Sequence, residues 1–506
     1  MVGLPGDENN ECDSVTKDVA EENRNTKILS PHSIIGKWVS EKCESRSGPK
    51  FVSRSYTFFS NHTFQLIQFY YEDESCSSIS CTVTIVGRYK PLYKSSLSST
   101  AHIKIAHNLR KATIVAHNYP TASKVAAILH KKCPGLTNHY WKPLVEYLLF
   151  GSENKSSEWN GAPTDDLRSD ETDSSTQTSE KYAQECLAAI DLSLDELNTV
   201  RIQSRYSNAN GLRYELLLAN TYYTDQHLQT LRHKFQLPLI LVNGNYPFTD
   251  EYNSIIQTFT FYLQSTNCVF CDTVAQNTHM FLQGQYAKAK FPPYVNGEWI
   301  SGRCDALSNG LFSMQVLRLQ QLSKRWELQM SYYSDYICSH LTMIHRAFGN
   351  FEASSTSKRV RGAIDIDFFI DKSYLTVFDE DILHTIRTDR YCGGSHDWQT
   401  GETKEIPSRT GCASVDIVYQ AKNYDIARLD VDDHGTYLLY LGDEGSTSSI
   451  SSRPTAYQYP LLRCSRYVDE EQLFQSDSAN KNILLPTLFS TFVIMSVFHV
   501  LLALLK

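Results

Sequence analysis

The sequence predicts a mostly β protein: two tandem homologous antiparallel domains, β-barrel-like and lipocalin-like, stapled by disulfides and followed by a C-terminal hydrophobic segment. Three observations predict it. Unlike motifs recur in order about 260 residues downstream, the runs between them alternate with period two, and five cysteines keep their places in both copies. At 506 residues the chain is long for one domain, and 30 Tyr and 23 Phe against 6 Met favour aromatic-packed strands over helical bundles.

Gly36-Lys37-Trp38-Val39-Ser40-Glu41-Lys42-Cys43 recurs as Gly297-Glu298-Trp299-Ile300-Ser301-Gly302-Arg303-Cys304, at an offset of 261. Tyr70-Tyr71-x-Asp73-x-x-Cys76 recurs as Tyr332-Tyr333-x-Asp335-x-x-Cys338, and Gly87-Arg88-Tyr89 falls opposite Gly349-Asn350-Phe351, both at 262. Cys133-Pro134-Gly135 sits opposite Cys392-Gly393-Gly394 at 259, but Cys186 and Cys412 are only 226 apart. The first copy therefore carries an insertion of some thirty residues, the Ser/Thr-rich segment 152–181. Eight acids (Glu153, Glu158, Asp165, Asp166, Asp170, Glu171, Asp173, Glu180) stand there against Lys155, Arg168 and Lys181. That composition cannot bury enough apolar surface to fold, so a disordered loop is expected.

The organisation expected is a disordered N-terminal segment (1–30), a first repeat domain (31–264), and a linker holding Cys268-x-x-Cys271 (265–291). A second repeat domain (292–466), a juxtamembrane stalk (467–482) and a hydrophobic membrane segment (483–505) follow. Phe51 to Phe59 and Phe64 to Tyr71 flank a four-residue turn, and residues 82–86 alternate as a third strand. Residues 311–322, 326–333, 364–370 and 436–441 do the same in the second copy. Alternation alone does not separate a barrel from a sandwich. Ala122 to His130 reads as a helix.

From Ile483 to Leu505 there is no acid, Lys or Arg, and 23 helical residues are long enough to cross about 30 Å of hydrocarbon. A single-pass plasma-membrane anchor and a cleaved lipid-anchor signal both fit. Met1 to Thr26 lacks the charged start and apolar run of a signal peptide, so a start further upstream is expected.

Thirteen cysteines point to an oxidising compartment. Retained positions suggest Cys43 with Cys76, Cys304 with Cys338, Cys133 with Cys186 and Cys392 with Cys412. That leaves Cys268 with Cys464 as a bridge between domains and Cys81 with Cys271 as a further pair. Asn61 and Asn154 head glycosylation sequons. The chain carries a net charge of −8 and shows no basic stripe for nucleic acid. No phosphate loop, nucleophile elbow or zinc-protease motif occurs, so a binding protein without catalysis, metal or cofactor is expected. His102, His107 and His117 alternate with isoleucines and read as core-edge histidines. Asp73 and Asp335, each three residues before a cysteine, read as turn caps rather than catalytic acids.

The Trp and Tyr-Tyr motifs, with Arg54-Ser55-Tyr56-Thr57-Phe58, Trp141-Lys142-Pro143, Cys268-x-x-Cys271 and Arg453-Pro454-Thr455-Ala456-Tyr457, resemble the adenomatosis polyposis coli down-regulated family of membrane-tethered Wnt antagonists. The resemblance implies an N-glycosylated cell-surface protein, acting as a homodimer, that binds Wnt proteins and their co-receptor and lowers β-catenin signalling. Wnts carry a fatty acyl chain, and a dry barrel mouth could hold it. Trp38, Phe58, Phe69 and Tyr71 in the first copy and Trp299, Trp326 and Tyr333 in the second are the candidate lining residues. The alternatives are a lipid-binding or adhesion module without Wnt selectivity, and a secreted hydrolase.

Overall fold

A computed structural model describes residues 9–92, 102–133, 140–151, 174–207, 211–220, 234–243, 268–278, 294–388, 392, 397–406, 411–415, 417, 422–432, 434–443 and 453–464. Asn154, the stalk and the hydrophobic tail lie outside them. No helix among the described residues is long and apolar enough to cross a membrane.

The chain opens with helix α1 (Asn9–Arg24) and strand β1 (Lys27–Ile28). The first repeat then runs β2 (Gly36–Ser40), β3 (Glu44–Arg46), β4 (Lys50–Phe58), β5 (Thr63–Tyr71), β6 (Ile79–Leu92) and β7 (Lys104–Ala116). It continues through α2 (Tyr119–Lys132), β8 (Glu146–Phe150), α3 (Ser174–Ala189), β9 (Val200–Ser207), β10 (Gly211–Leu218) and β11 (Leu239–Asn243). Helix α4 (Val269–Gln276) follows. The second repeat runs β12 (Gly297–Ser301), β13 (Asp305–Ala306), β14 (Phe312–Gln320), β15 (Arg325–Tyr333), β16 (Leu341–Ala353) and β17 (Ile364–Val377). It ends with α5 (Glu380–Thr388), β18 (Thr403–Glu405), β19 (Lys422–Val431), β20 (Tyr437–Leu441) and β21 (Leu461–Arg463).

The repeat is structural, strand for strand. In the second copy antiparallel ladders run β12-β21-β20-β19-β17-β16-β15-β14, and β14 pairs back to β12, so eight strands form a closed circuit. In the first copy the same circuit runs β9-β10-β11-β2-β4-β5-β6-β7, but among the described residues the return to β9 is one isolated bridge, Ile103 with Val200. The turn Asp195–Asn198 packs against β7 beside that seam.

The recurring motif residues each perform one local task. Gly36 and Gly297 have φ of 136° and 128°, which a side chain would resist. The buried indoles of Trp38 and Trp299 donate to backbone oxygens four residues earlier, Ile34 at 2.7 Å and Val295 at 2.9 Å. Ser40 and Ser301 accept the backbone N–H of Arg54 and Gln315 at 2.7 and 2.8 Å, tying the first strand of each copy to its neighbour. Gly87 and Gly349 mark β-bulges, where an added Cβ would lie 2.5 Å from Asn108 O and 1.8 Å from Phe369 O.

Several expectations need correction. From residue 9 on, the segment 1–30 is not disordered: α1 buries Val19, with Cys12 and Val15, against Ile300 and Cys464 of the second repeat. Residues 174–181, counted in the acidic loop, begin helix α3; 152–173 lie outside the described residues. The CxxC segment is not a linker, because α4 packs on β2, β4 and β11 of the first repeat. Nor are the repeats separate domains, for Met1–Cys464 forms one compact unit. Asn23 caps Cys304 N–H at 3.2 Å, Arg205 bonds Glu22 and the Gly302 carbonyl, and Ser45 donates to the Thr455 carbonyl at 3.0 Å. Buried polar groups shared across a seam leave neither half able to separate without unpaired donors.

Candidate ligand-binding interiors

Strand alternation sends every second side chain into the middle of each circuit. In the first repeat Tyr56 and Phe58 of β4 meet Phe64 of β5 and Tyr89 of β6, with Phe58 stacked 5.6 Å from Tyr56 and edge-on to Tyr89 at 5.1 Å. Between Val52 and Tyr56, on the same inward side, stands Arg54, which is fully buried. Its guanidinium donates to Glu44 at 2.8 and 3.1 Å and to Glu196 at 2.9 Å, while the Tyr56 hydroxyl donates to Glu196 at 2.5 Å. Gln236 adds a donor to Glu196 at 3.1 Å and Ser40 one to Glu44 at 2.6 Å. Burial opposes the charge on Glu44, but Arg54 and Arg46 outweigh it and hold the carboxyl below its usual range. A buried ion network of this kind costs several kcal/mol to break by removing one partner, because it leaves an uncompensated buried charge.

The second repeat replaces that network. Gln315 stands at the position of Arg54, Asp305 at Glu44, and Leu317 at Tyr56. Asp305 instead accepts from Arg303 at 2.6 Å. The inward side is mostly apolar, built around Trp299, Leu317, Trp326, Phe351 and Phe368, with Trp326 edge-on to Phe368 at 5.2 Å. Leu328, Ile370, Leu429 and Tyr437 pack against this cluster yet keep part of their surface accessible. Polar groups face the same way: Gln315, the buried Arg463 guanidinium 5.7 Å from the Trp299 ring and 5.6 Å from the Tyr437 ring, and His345, whose Nε2 lies 2.7 Å from the Ser373 hydroxyl. Desolvation pushes His345 down to about 4, so it is neutral at physiological pH. Val83 and Ala112 occupy the matching places in the first repeat.

The seven candidate lining residues are not brought together. Trp38 and Phe58 enter the first interior, Trp299 and Trp326 the second. Phe69 and Tyr71 lie on the opposite face of β5, packed under α4 with Cys271 and Val274, where the Tyr71 hydroxyl meets Ser53 at 2.8 Å. Tyr333 packs outside with Phe312 and Cys304. The period of two fixes that adjacent aromatics diverge, not which of them turns inward. Nothing in the sequence marks the roles of Arg54, His345 and Ser373, because a lone charge or histidine in a strand carries no signal of partners distant in sequence.

Twelve cysteines pair: Cys12 with Cys464, Cys43 with Cys76, Cys133 with Cys186, Cys268 with Cys271, Cys304 with Cys338 and Cys392 with Cys412. The expected bridges Cys268–Cys464 and Cys81–Cys271 are thus replaced. Helix α1 carries Cys12 to Cys464, and the helical start of α4 brings Cys268 and Cys271 within 5.2 Å between Cα atoms. Cys81 is free and buried, its thiol pushed up to about 12 by that burial.

Asp73 and Asp335 cap the turns that present Cys76 and Cys338. Partial burial disfavours their charge, but backbone N–H groups of Ser78, Ser77 and Ser75, and of His340 and Ser339, hold both carboxyls below the usual range. His117 meets Thr82 at 2.8 Å and His102 lies beside Lys234 at 3.2 Å, so the three histidines do not converge. Among the described residues the only close group of metal-type ligands, Cys12, Glu298 and Cys464, contains a disulfide. Asn61 is exposed at the β4–β5 turn, its side-chain oxygen accepting from Thr63 N–H at 3.1 Å and the Thr63 hydroxyl at 2.6 Å.

A family model described as adenomatosis polyposis coli down-regulated 1 matches residues 11–246 and 271–471, spanning both repeats and α1. On that match the chain belongs to the adenomatosis polyposis coli down-regulated 1 family.

Proposed function

We propose that this chain is an extracellular Wnt-binding protein that lowers β-catenin signalling by holding the ligand's fatty acyl chain inside a β-barrel. Family membership supports the Wnt assignment. Twelve paired cysteines support an oxidising, extracytoplasmic setting. The observation that carries the acyl reading is the second repeat's interior, a closed eight-strand circuit whose inward wall is mostly apolar and partly accessible. Burying each CH₂ there contributes about 0.8 kcal/mol, so ten methylenes reach about 8 kcal/mol before ordering costs. The neutral His345–Ser373 pair gives a polar point at which a carbonyl could stop.

In this reading Asn61 and Asn154 carry glycans, the 483–505 segment holds the protein at the plasma membrane, and the protein acts as a homodimer. The experiment is direct binding of the purified chain to a Wnt in acylated and enzymatically delipidated forms. Acyl capture requires at least a tenfold loss on delipidation; equal binding of both forms ends the acyl reading, and binding of neither ends the Wnt one.

A further inference from the structure

Strands β6 and β7 of the first repeat contain no acidic residue and five cations: Arg88, Lys90, Lys104, Arg110 and Lys111. Tyr89, Ile105 and Leu109 turn inward, so alternation places Arg88, Lys90 and Lys104 on the outer face. Arg110 is the extra residue of the bulge opposite Gly87, and Lys111 pairs with outward Val86. Four of the five are exposed and Lys111 is half-buried. The face thus concentrates cations on a chain whose net charge is −8.

The same ribbon in the second repeat has the opposite sign. Register matches Lys90 with Glu352, Lys104 with Asp365, Arg110 with Asp371 and Arg88 with Asn350. There the acids have partners: Asp371 meets Arg325 at 2.8 Å, and Asp367 meets Lys422 at 2.9 Å and Arg453 at 2.6 Å. The first repeat has Thr63 where Arg325 stands. Crowding of like charge shows at Arg110, held below its usual range by desolvation and then by Arg88.

We propose that the outer face of the β6–β7 ribbon is a docking surface for a linear sulfated polysaccharide. Outward residues on one strand recur about every 7 Å, so the ribbon offers a row of fixed charges to a polymer that is itself regularly charged. Asn108 and Ala106 lie between the cations and add one amide and no bulk. A bilayer-binding surface pairs its cations with aromatic and aliphatic insertions, and here Leu92 is the only large exposed apolar side chain. A single-stranded nucleic acid wants exposed rings to stack on, and Tyr89 is buried. No basic stripe is visible in the sequence because alternation disperses these cations among core residues; folding assembles them. The inference is independent of the Wnt reading.

The test is retention of the full-length protein on immobilised heparin, with fully desulfated heparin and phosphatidylserine vesicles as parallel arms. Wild type stays bound above about 0.15 M salt, with affinity falling linearly in log–log against salt as counterions are released. Arg88→Glu/Lys90→Glu/Arg110→Glu flows through, the triple Gln variant elutes at intermediate salt, and desulfated heparin binds nothing. All variants keep the wild-type circular dichroism, since these side chains are outside the core. Lack of wild-type retention, co-elution of the variants with wild type, or vesicle binding that the same substitutions abolish while heparin binding persists would overturn the proposal.

Discussion

The two repeats place matching strands in matching order and then diverge in three ways. Among the described residues the first closes its circuit through one bridge and sets a buried Arg–Glu network in its interior; the second closes through a six-residue ladder and keeps a mostly apolar interior. The outer hairpin faces differ in sign as well. The difference teaches that the recurring residues specify the scaffold while the residues between them assign the tasks. Gly, Trp and Ser of the first strand and the Cys that follows it do the same work twice, whereas Arg54 and Gln315, at one position, give interiors of different kinds.

The largest effect should come from exchanging that one position. Arg54→Gln leaves Glu44 and Glu196 buried without their main counter-charge and should cost about 3–5 kcal/mol. Gln315→Leu in the second repeat should cost about 1 kcal/mol. Denaturant midpoints of the two variants check the contrast, and equal losses would remove it.

Disulfides give a smaller, graded comparison. Serine pairs at Cys43–Cys76 and Cys304–Cys338, with sequence separations of 33 and 34, should lose the same amount, about 3–4 kcal/mol each. Cys133–Cys186 spans 53 residues against 20 for Cys392–Cys412, and loop-closure entropy makes its loss about 0.8 kcal/mol larger. Thermal unfolding of the four double variants measures this order.

The seam sets a third difference. Ile103 and Val200 exchange both backbone hydrogen bonds at 2.8 Å, as the one pair joining β7 to β9 among the described residues. Their amides should exchange with solvent about ten to a hundred times faster than those between β17 and β19, as read by native-state hydrogen exchange.

The smallest effect is in pH, and its sign reverses between copies. Glu44 has a lowered carboxyl, so its stabilisation is full above the unfolded value near 4.3 and is lost as pH falls through the folded one. Asp425 is pushed up to about 7 by desolvation, so its stabilisation is full below about 3.9 and is lost as pH rises through 7. Asp425→Asn keeps the acceptor for Ile426 and Gly442 N–H. It should abolish the decline toward neutral pH and leave the acid limb unchanged.

Much of the fold was legible because it is local or repeated. The β4–β5 hairpin follows from two alternating runs around Ser60-Asn61-His62, and the second repeat follows from the first by register. Helix α1 was not legible: the apolar residues that pack on the second repeat, Cys12, Val15 and Val19, are few and spread through a mostly polar stretch. Closure was not legible either, since Trp299 pairs with Arg463 across more than 160 residues, and no local pattern encodes that return. The Arg54 network was hidden for the same reason, because Glu196 comes from 142 residues away.

Cys12 and Cys464 join positions 452 residues apart, near the two limits of the compact unit. Tension applied between a handle ahead of Cys12 and one beyond Cys464 is carried by that covalent link and bypasses the strands. Both sheets are therefore mechanically shielded along that axis, and pulling on the ends should stretch only the flanking chain until the link is reduced.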